Sequence, residues 1–156
     1  MEELKLPSLQ ESVFYEDERG RARVFYAGPL SVRVQDWGFI NAGVGQPVFD
    51  TVDALFASLP DDAPRHVFMD HRKVTGVSLA NAIASLRWFV GRHRQLTVHM
   101  LLELSPWMRS VVWLCAPIIG WACEYHPQVE SFDAAFEDWS KRELSPGLQA
   151  AQAVKR

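Results

Sequence analysis

Asp70-His71-Arg72-Lys73 closes an apolar run (Val67, Phe68, Met69) and is followed, after Val74-Thr75-Gly76-Val77, by Ser78. A carboxylate beside an imidazole is acid/base material. Asp70 could orient His71 for proton transfer or, with His99 or His126 as a further ligand, help to hold a metal. Against this, neighbours on a strand point to opposite faces, and no recognisable ligand spacing is present. Asp70 to Val77 then reads as a solvated loop at a strand end. Ser78 stands just before a helical pattern, where its hydroxyl would cap the helix. A phosphate at the same place would meet free N–H groups and the positive end of the helix dipole, with Arg72 and Lys73 to assist. Both roles stay open. Cys123-Glu124-Tyr125-His126 offers a thiol and an imidazole, but Cys115, the other cysteine, is eight residues back with Pro117 between. That matches no zinc spacing, and two structural thiols are expected. Gly43-Val44-Gly45 lacks the third glycine of a phosphate loop, and no Walker A or Gly-x-Ser-x-Gly pattern occurs. The pattern therefore predicts no cofactor and no metal centre.

These residues need elements to position them. Val13-Phe14-Tyr15 and Ala22 to Tyr26 flank a charged turn containing Gly20, which predicts a hairpin. Leu30 to Val34 alternates as a half-buried strand does, and Trp37 to Asn41 would continue or pair with it. Pro47 is expected to open a helix along Val48, Val52, Phe56 and Leu59, stopped at Pro60 to Pro64. The strand His66 to Met69 follows, then a helix with Leu79, Ala82, Ile83, Leu86, Phe89 and Val90 along its buried face. Gly91 would stop it, with Arg92, His93 and Arg94 complementing its dipole. Leu96 to Leu104 reads as a buried strand. Ser105-Pro106 would cap and open a third helix, Trp107 to about Cys115, ended by Pro117. A last strand at Trp121 to Tyr125 and a final helix capped by Ser131, with a stripe of Phe132, Ala135, Phe136 and Trp139, complete the order. Strands alternating with helices imply parallel pairing through right-handed crossovers.

At 156 residues and 48% apolar composition the chain fits one domain with a core of its own. Expected divisions are a flexible leader at 1–11, one domain at 12–144 and a flexible tail at 145–156. A net charge of −3 excludes the basic footprint of a nucleic-acid binder. The charged N-terminus lacks the apolar core of a secretory signal. The apolar stretch Leu96 to Cys123 is broken by His99, Glu103, Pro106, Arg109 and Pro117, short of the ~20 residues a membrane span requires. A cytoplasmic location with reduced cysteines is expected. Three of the six tryptophans fall between 107 and 121. Trp107, Met108, Val112, Trp113, Ile118 and Trp121 form either a thick core or an apolar interface, in which case a homodimer is one use of it.

The order of elements resembles that of the STAS domains, including the bacterial anti-sigma-factor antagonists and their SpoIIAA-like relatives. Three stretches carry the resemblance, which covers about half the chain. Val67-Phe68-Met69-Asp70, with the helix from Ser78, is similar to the family's strand, loop and switch helix. Leu101-Leu102-Glu103-Leu104-Ser105-Pro106-Trp107 looks like its next strand and helix start, and Val129 to Trp139 like its closing helix. The implied fold is α/β, with a mixed, largely parallel sheet of about four to six strands, four flanking helices and an N-terminal β-hairpin. The implied role is regulation through a protein partner, without catalysis. Asp70, His71, Arg72, Lys73, Thr75 and Ser78 would form the partner face. Family members carry an Asp-Ser-Ser-Gly motif phosphorylated on its second serine. Here Val77-Ser78-Leu79-Ala80 stands in its place, with Ser78 on the first serine and Leu79 on the second. Two other readings accompany this one: a domain of the same fold binding a small anionic or apolar molecule at that helix start, and a small enzyme using Asp70 and His71.

Overall fold

A computed structural model describes residues 4, 6–91 and 96–154, with only the backbone given at Trp121, Leu148, Ala151 and Gln152. Six strands form one sheet in the order β1-β2-β3-β4-β5-β6. They are β1 (Ser12–Glu16), β2 (Gly20–Gly28), β3 (Ser31–Ile40), β4 (Arg65–Val77), β5 (Leu96–Leu101) and β6 (Cys123–His126). The first three pair antiparallel and the last three join in parallel. Helices α1 (Ala42–Phe56), α2 (Leu79–Gly91) and α3 (Pro106–Ile119) are the crossovers, and α4 (Val129–Ser140) and α5 (Pro146–Val154) follow the last strand. The N-terminal hairpin, the mixed sheet and the alternation of strand and helix are as expected from the sequence.

Because the strands are laid down in sequential order, uniformly right-handed crossovers must place α1, α2 and α3 on one face. Val32, Val34, Val67, Met69, Val98 and Met100 point toward them and form the main core with Val48, Val52, Phe56 and Phe89. The opposite face is left for α4, where Phe132 packs on Phe68 and Leu101 with Phe136 and Trp139 beside them.

Five local expectations need correction. Asp70 to Val77 is strand, not loop. The long β3 offers a matching ladder (Gln35 to Asp70, Trp37 to Lys73, Ile40 to Val77), and bulges absorb the irregular register. Helix α1 starts at Ala42 rather than Pro47, because the Asn41 side chain accepts the Val44 N–H at 3.2 Å and sets the start. Gly43-Val44-Gly45 is thus helical. A Cβ on Gly45 would fall 1.9 Å from Asn81 Oδ1, so this glycine permits the close approach of α1 and α2. Helix α3 runs through Pro117 to Ile119, so the proline forgoes one helical hydrogen bond near the C-terminus without ending the helix. The first residue of α4 is Val129, and Ser131 Oγ donates back to the Gln128 carbonyl instead of capping.

The fifth correction concerns α2, which is rotated from its expected setting. Leu79, Ile83 and Val90 are exposed, whereas Asn81, Trp88 and Phe89 are buried. Aromatic anchoring explains the rotation. Trp88 stacks on Phe49 at 5.0 Å, and its indole N–H donates to Asp53 at 3.0 Å. Arg92, His93 and Arg94 lie outside the described residues, as does most of the N-terminal pentapeptide.

Candidate functional site

Asp70 and His71 are consecutive on β4 and therefore face opposite sides of the sheet. Asp70 is buried on the α4 side. The Arg72 guanidinium grips it in bidentate fashion, Nε to Oδ1 at 2.9 Å and Nη2 to Oδ2 at 2.8 Å. Arg33 stands 3.5 Å from the same carboxylate and reaches on to Asp133 of α4 at 2.9 Å. Burial pushes the Asp70 carboxyl up, but hydrogen bonds and charge from Arg72, helped by Gln35, outweigh it and bring the value down to about 2. Such a carboxylate is a permanent anion that ties β3, β4 and α4 together. His71, on the other face, has Nδ1 3.0 Å from Asp36 Oδ2, out of line for a hydrogen bond. The structure thus separates Asp70 from His71 and gives the imidazole a carboxylate that sequence reading did not name.

Beyond this point β4 runs outward. Arg72, Lys73 and Thr75 are exposed along it and Val74 is buried. Ser78 ends the ladder through its N–H to the Ile40 carbonyl at 2.9 Å. Its Oγ accepts the Asn81 N–H at 3.1 Å, which is an N-cap bond. Lys73 and Arg72 stand five and six residues before Ser78 on the same strand, with an irregular register against β3 between them.

Helices α2 and α3 pack side by side, and both present apolar residues outward. Leu79 is 77% exposed, Leu114 78% and Trp113 59%, with Ile83, Val90, Trp107 and Ile118 also exposed. Of the expected apolar interface, Met108 and Val112 are instead buried in the main core, and the side chain of Trp121 lies outside the described residues. The α3 stripe therefore divides by helix geometry. Met108, Val112 and Ile119 face the sheet, while Trp113, Leu114 and Ile118 face away.

Between α1, α2, α3 and the sheet lies a cavity of about 190 Å³. Its wall is mostly apolar, including Phe49, Met69, Phe89 and Met108, with Asp36, His71 and Asn81 as polar contributors. The buried Asn81 Oδ1 has no hydrogen-bond partner. Such an atom is costly to leave unmade.

On the α4 side, three buried histidines from three strands form a row. His66 Nδ1 is 2.8 Å from His99 Nε2, and His99 Nδ1 is 2.9 Å from His126 Nε2. Phe68 stacks on His99 at 4.0 Å, and Trp139 on His66 at 3.4 Å. Burial lowers the His66 imidazole to about 4, with Arg142 adding to it. Burial, with His66 and His126 as neighbours, lowers His99 to about 3. Both are neutral at ordinary pH. Cys115 and Cys123 are half-buried free thiols that burial pushes up, which suits the expected structural role.

This architecture is similar to a solved structure, an anti-sigma factor antagonist from Mycobacterium paratuberculosis, with a TM-score of 0.50 and 11% sequence identity. The match covers 85% of this chain and all of the other. The chain has the STAS-like fold. No family model and no curated protein matches it. Ser78 stands at the start of α2, where its Oγ accepts the Asn81 N–H. Asp36, Arg33, Asn81 and His66 were not legible as site residues. The partners of Asp36, Arg33 and His66 lie 33 to 100 residues away in sequence, and no spacing rule joins them. The alternation Val32-Arg33-Val34 was the one available signal, since it places an arginine on a buried face.

Proposed function

We propose that this chain is a non-catalytic regulatory module that acts by binding a protein partner through the outer surface of α2 and the adjoining face of α3. The observation that carries this reading is the exposure of Leu79, Ile83 and Val90 on α2 beside Trp113, Leu114 and Ile118 on α3. Large apolar side chains gathered on two adjacent helices favour burial against another protein. The solved structure that shares the fold is of an anti-sigma factor antagonist, whose stated role is itself directed at a protein.

Ser78 supports regulation of that surface, because it caps the helix that carries Leu79. A phosphate there would meet the first N–H groups of α2. Ser78→Asp is expected to change partner affinity and Ser78→Ala to preserve it; equal behaviour of the two removes Ser78 as a switch. The reading as a whole is tested by capture from cells with the wild-type chain and with Leu79→Glu/Ile83→Glu, followed by titration of the purified partner. The partner should bind the wild type stoichiometrically and the variant at least tenfold more weakly. Equal binding, or no stoichiometric partner, overturns the reading.

A second reading, small-ligand binding, is favoured by the cavity under α2. Its volume suits a molecule of about the size of a benzene ring, as engineered cavities of about 150 Å³ do. Asn81 Oδ1 would accept a single N–H or O–H from an otherwise apolar ligand. Such a ligand should raise the melting temperature of the wild type, and Ala82→Phe, which fills the space, should abolish that rise.

A further inference from the structure

The edge of the sheet carries a group of side chains that the protein-binding reading does not use. Strands β5 and β6 pair in parallel with His99 opposite Glu124 and Leu101 opposite His126. Glu124 and His126, two apart on one strand, share a face, and the cross-strand register sets His99 beside them. Glu124 Oε2 is 3.7 Å from His99 Nδ1, and Glu124 Oε1 is 3.8 Å from His126 Nε2. The two imidazole nitrogens face each other at 2.9 Å. His99 and His126 are buried, whereas Glu124 is 57% exposed and stands at the mouth of the site.

We propose that His99 Nδ1, His126 Nε2 and the Glu124 carboxylate bind one divalent transition-metal ion, with zinc the first choice. Two nitrogens each ~2.1 Å from one ion and 2.9 Å apart subtend about a right angle at it. That angle is open to a zinc, cobalt or nickel centre completed by water. The carboxylate, free at the surface, closes the third position by a side-chain rotation. Two imidazoles and one carboxylate suit late first-row ions rather than calcium or magnesium, which take oxygen ligands. The ring positions are fixed from behind. Phe68 stacks on His99, Phe132 meets His126 edge-on at 5.7 Å, and His66 Nδ1, 2.8 Å from His99 Nε2, would accept the remaining His99 N–H when Nδ1 holds the metal. An acceptor on the outer nitrogen of a ligating histidine holds it in the metal-binding tautomer. His66 is thus a positioning residue.

The test uses the full chain, stripped with a chelator, and titrates it with Zn²⁺ by calorimetry and with Co²⁺ by visible absorption. One equivalent should bind, Co²⁺ should develop d–d bands, and Zn²⁺ should raise the melting temperature. Glu124→Gln, an exposed change that keeps the fold, should weaken Zn²⁺ binding tenfold or more while the metal-free melting temperature stays put. His66→Phe should weaken it by a similar factor, as loss of an outer partner does. Absence of saturable binding by the wild type overturns the proposal. So does Zn²⁺ binding by Glu124→Gln and His126→Gln equal to that of the wild type.

Discussion

Asp70 carries a charge that the fold depends on, and its dependence on pH follows from its partners. Its carboxyl sits at about 2 in the folded chain against 3.8 in the open, because Arg72 and Gln35 bind the anion. The folded pKa is the lower one, so the stabilisation is complete above pH 3.8 and is lost as pH falls toward 2. The difference corresponds to about 2 kcal/mol. Asp70→Asn should therefore lower the melting temperature at pH 7 and flatten its decline between pH 4 and pH 2. A wild-type decline retained in full by the variant would assign the acid sensitivity elsewhere. At this scale the sequence was half legible. Ser78 could be read as a cap because serine, position and helix start coincide within four residues. Asp70 could not be read as an ion-pair hub, because Arg33 comes from another strand and Asp133 from α4.

Elements were easier to find than to orient. The order of six strands and the helices between them follows from apolar periodicity, which is a local property. Rotation of α2 is not local. Leu79, Ile83 and Val90 have the spacing of a buried stripe, yet Trp88 and Asn81 dock on α1 and turn that stripe outward. The energetic asymmetry is testable. Trp88→Ala should cost about 3–5 kcal/mol in denaturant unfolding, whereas Leu79→Glu should stay within about 0.5 kcal/mol of the wild type. A reversed order would mean that α2 turns its other side to the core in solution. The extent of β4 was hidden for a different reason. Asp-His-Arg-Lys reads as loop by composition, but a strand paired on one side by the long β3 tolerates charge on its outward residues.

For the whole molecule, the sequential strand order divides labour between two faces. The side covered by α1, α2 and α3 holds the cavity, the Asp36–His71 pair and the exposed apolar helices. The side covered by α4 holds the Asp70 ion pairs and the histidine row. Within the described residues no helix is long and apolar enough to cross a membrane. The alternation of strands and helices with right-handed parallel crossovers was legible in the sequence. Which chemistry fell on which side was not, because it depends on partners from other elements, such as Asp36, Arg33 and Asp133.

The alternation at Asp70 and His71 has an energetic corollary. Adjacent in the chain, they belong to separate neighbourhoods with the backbone of β4 between them. Perturbations confined to opposite sides of a rigid sheet have no shared partner through which to influence each other. Glu124→Gln and Leu79→Glu should thus add in a double-mutant cycle, with a coupling energy below about 0.5 kcal/mol for stability. The same cycle built from Asp70→Asn and His71→Ala measures how stiff the strand is. A coupling well above that bound would make β4 a lever, able to carry an event on one surface of the protein to the other.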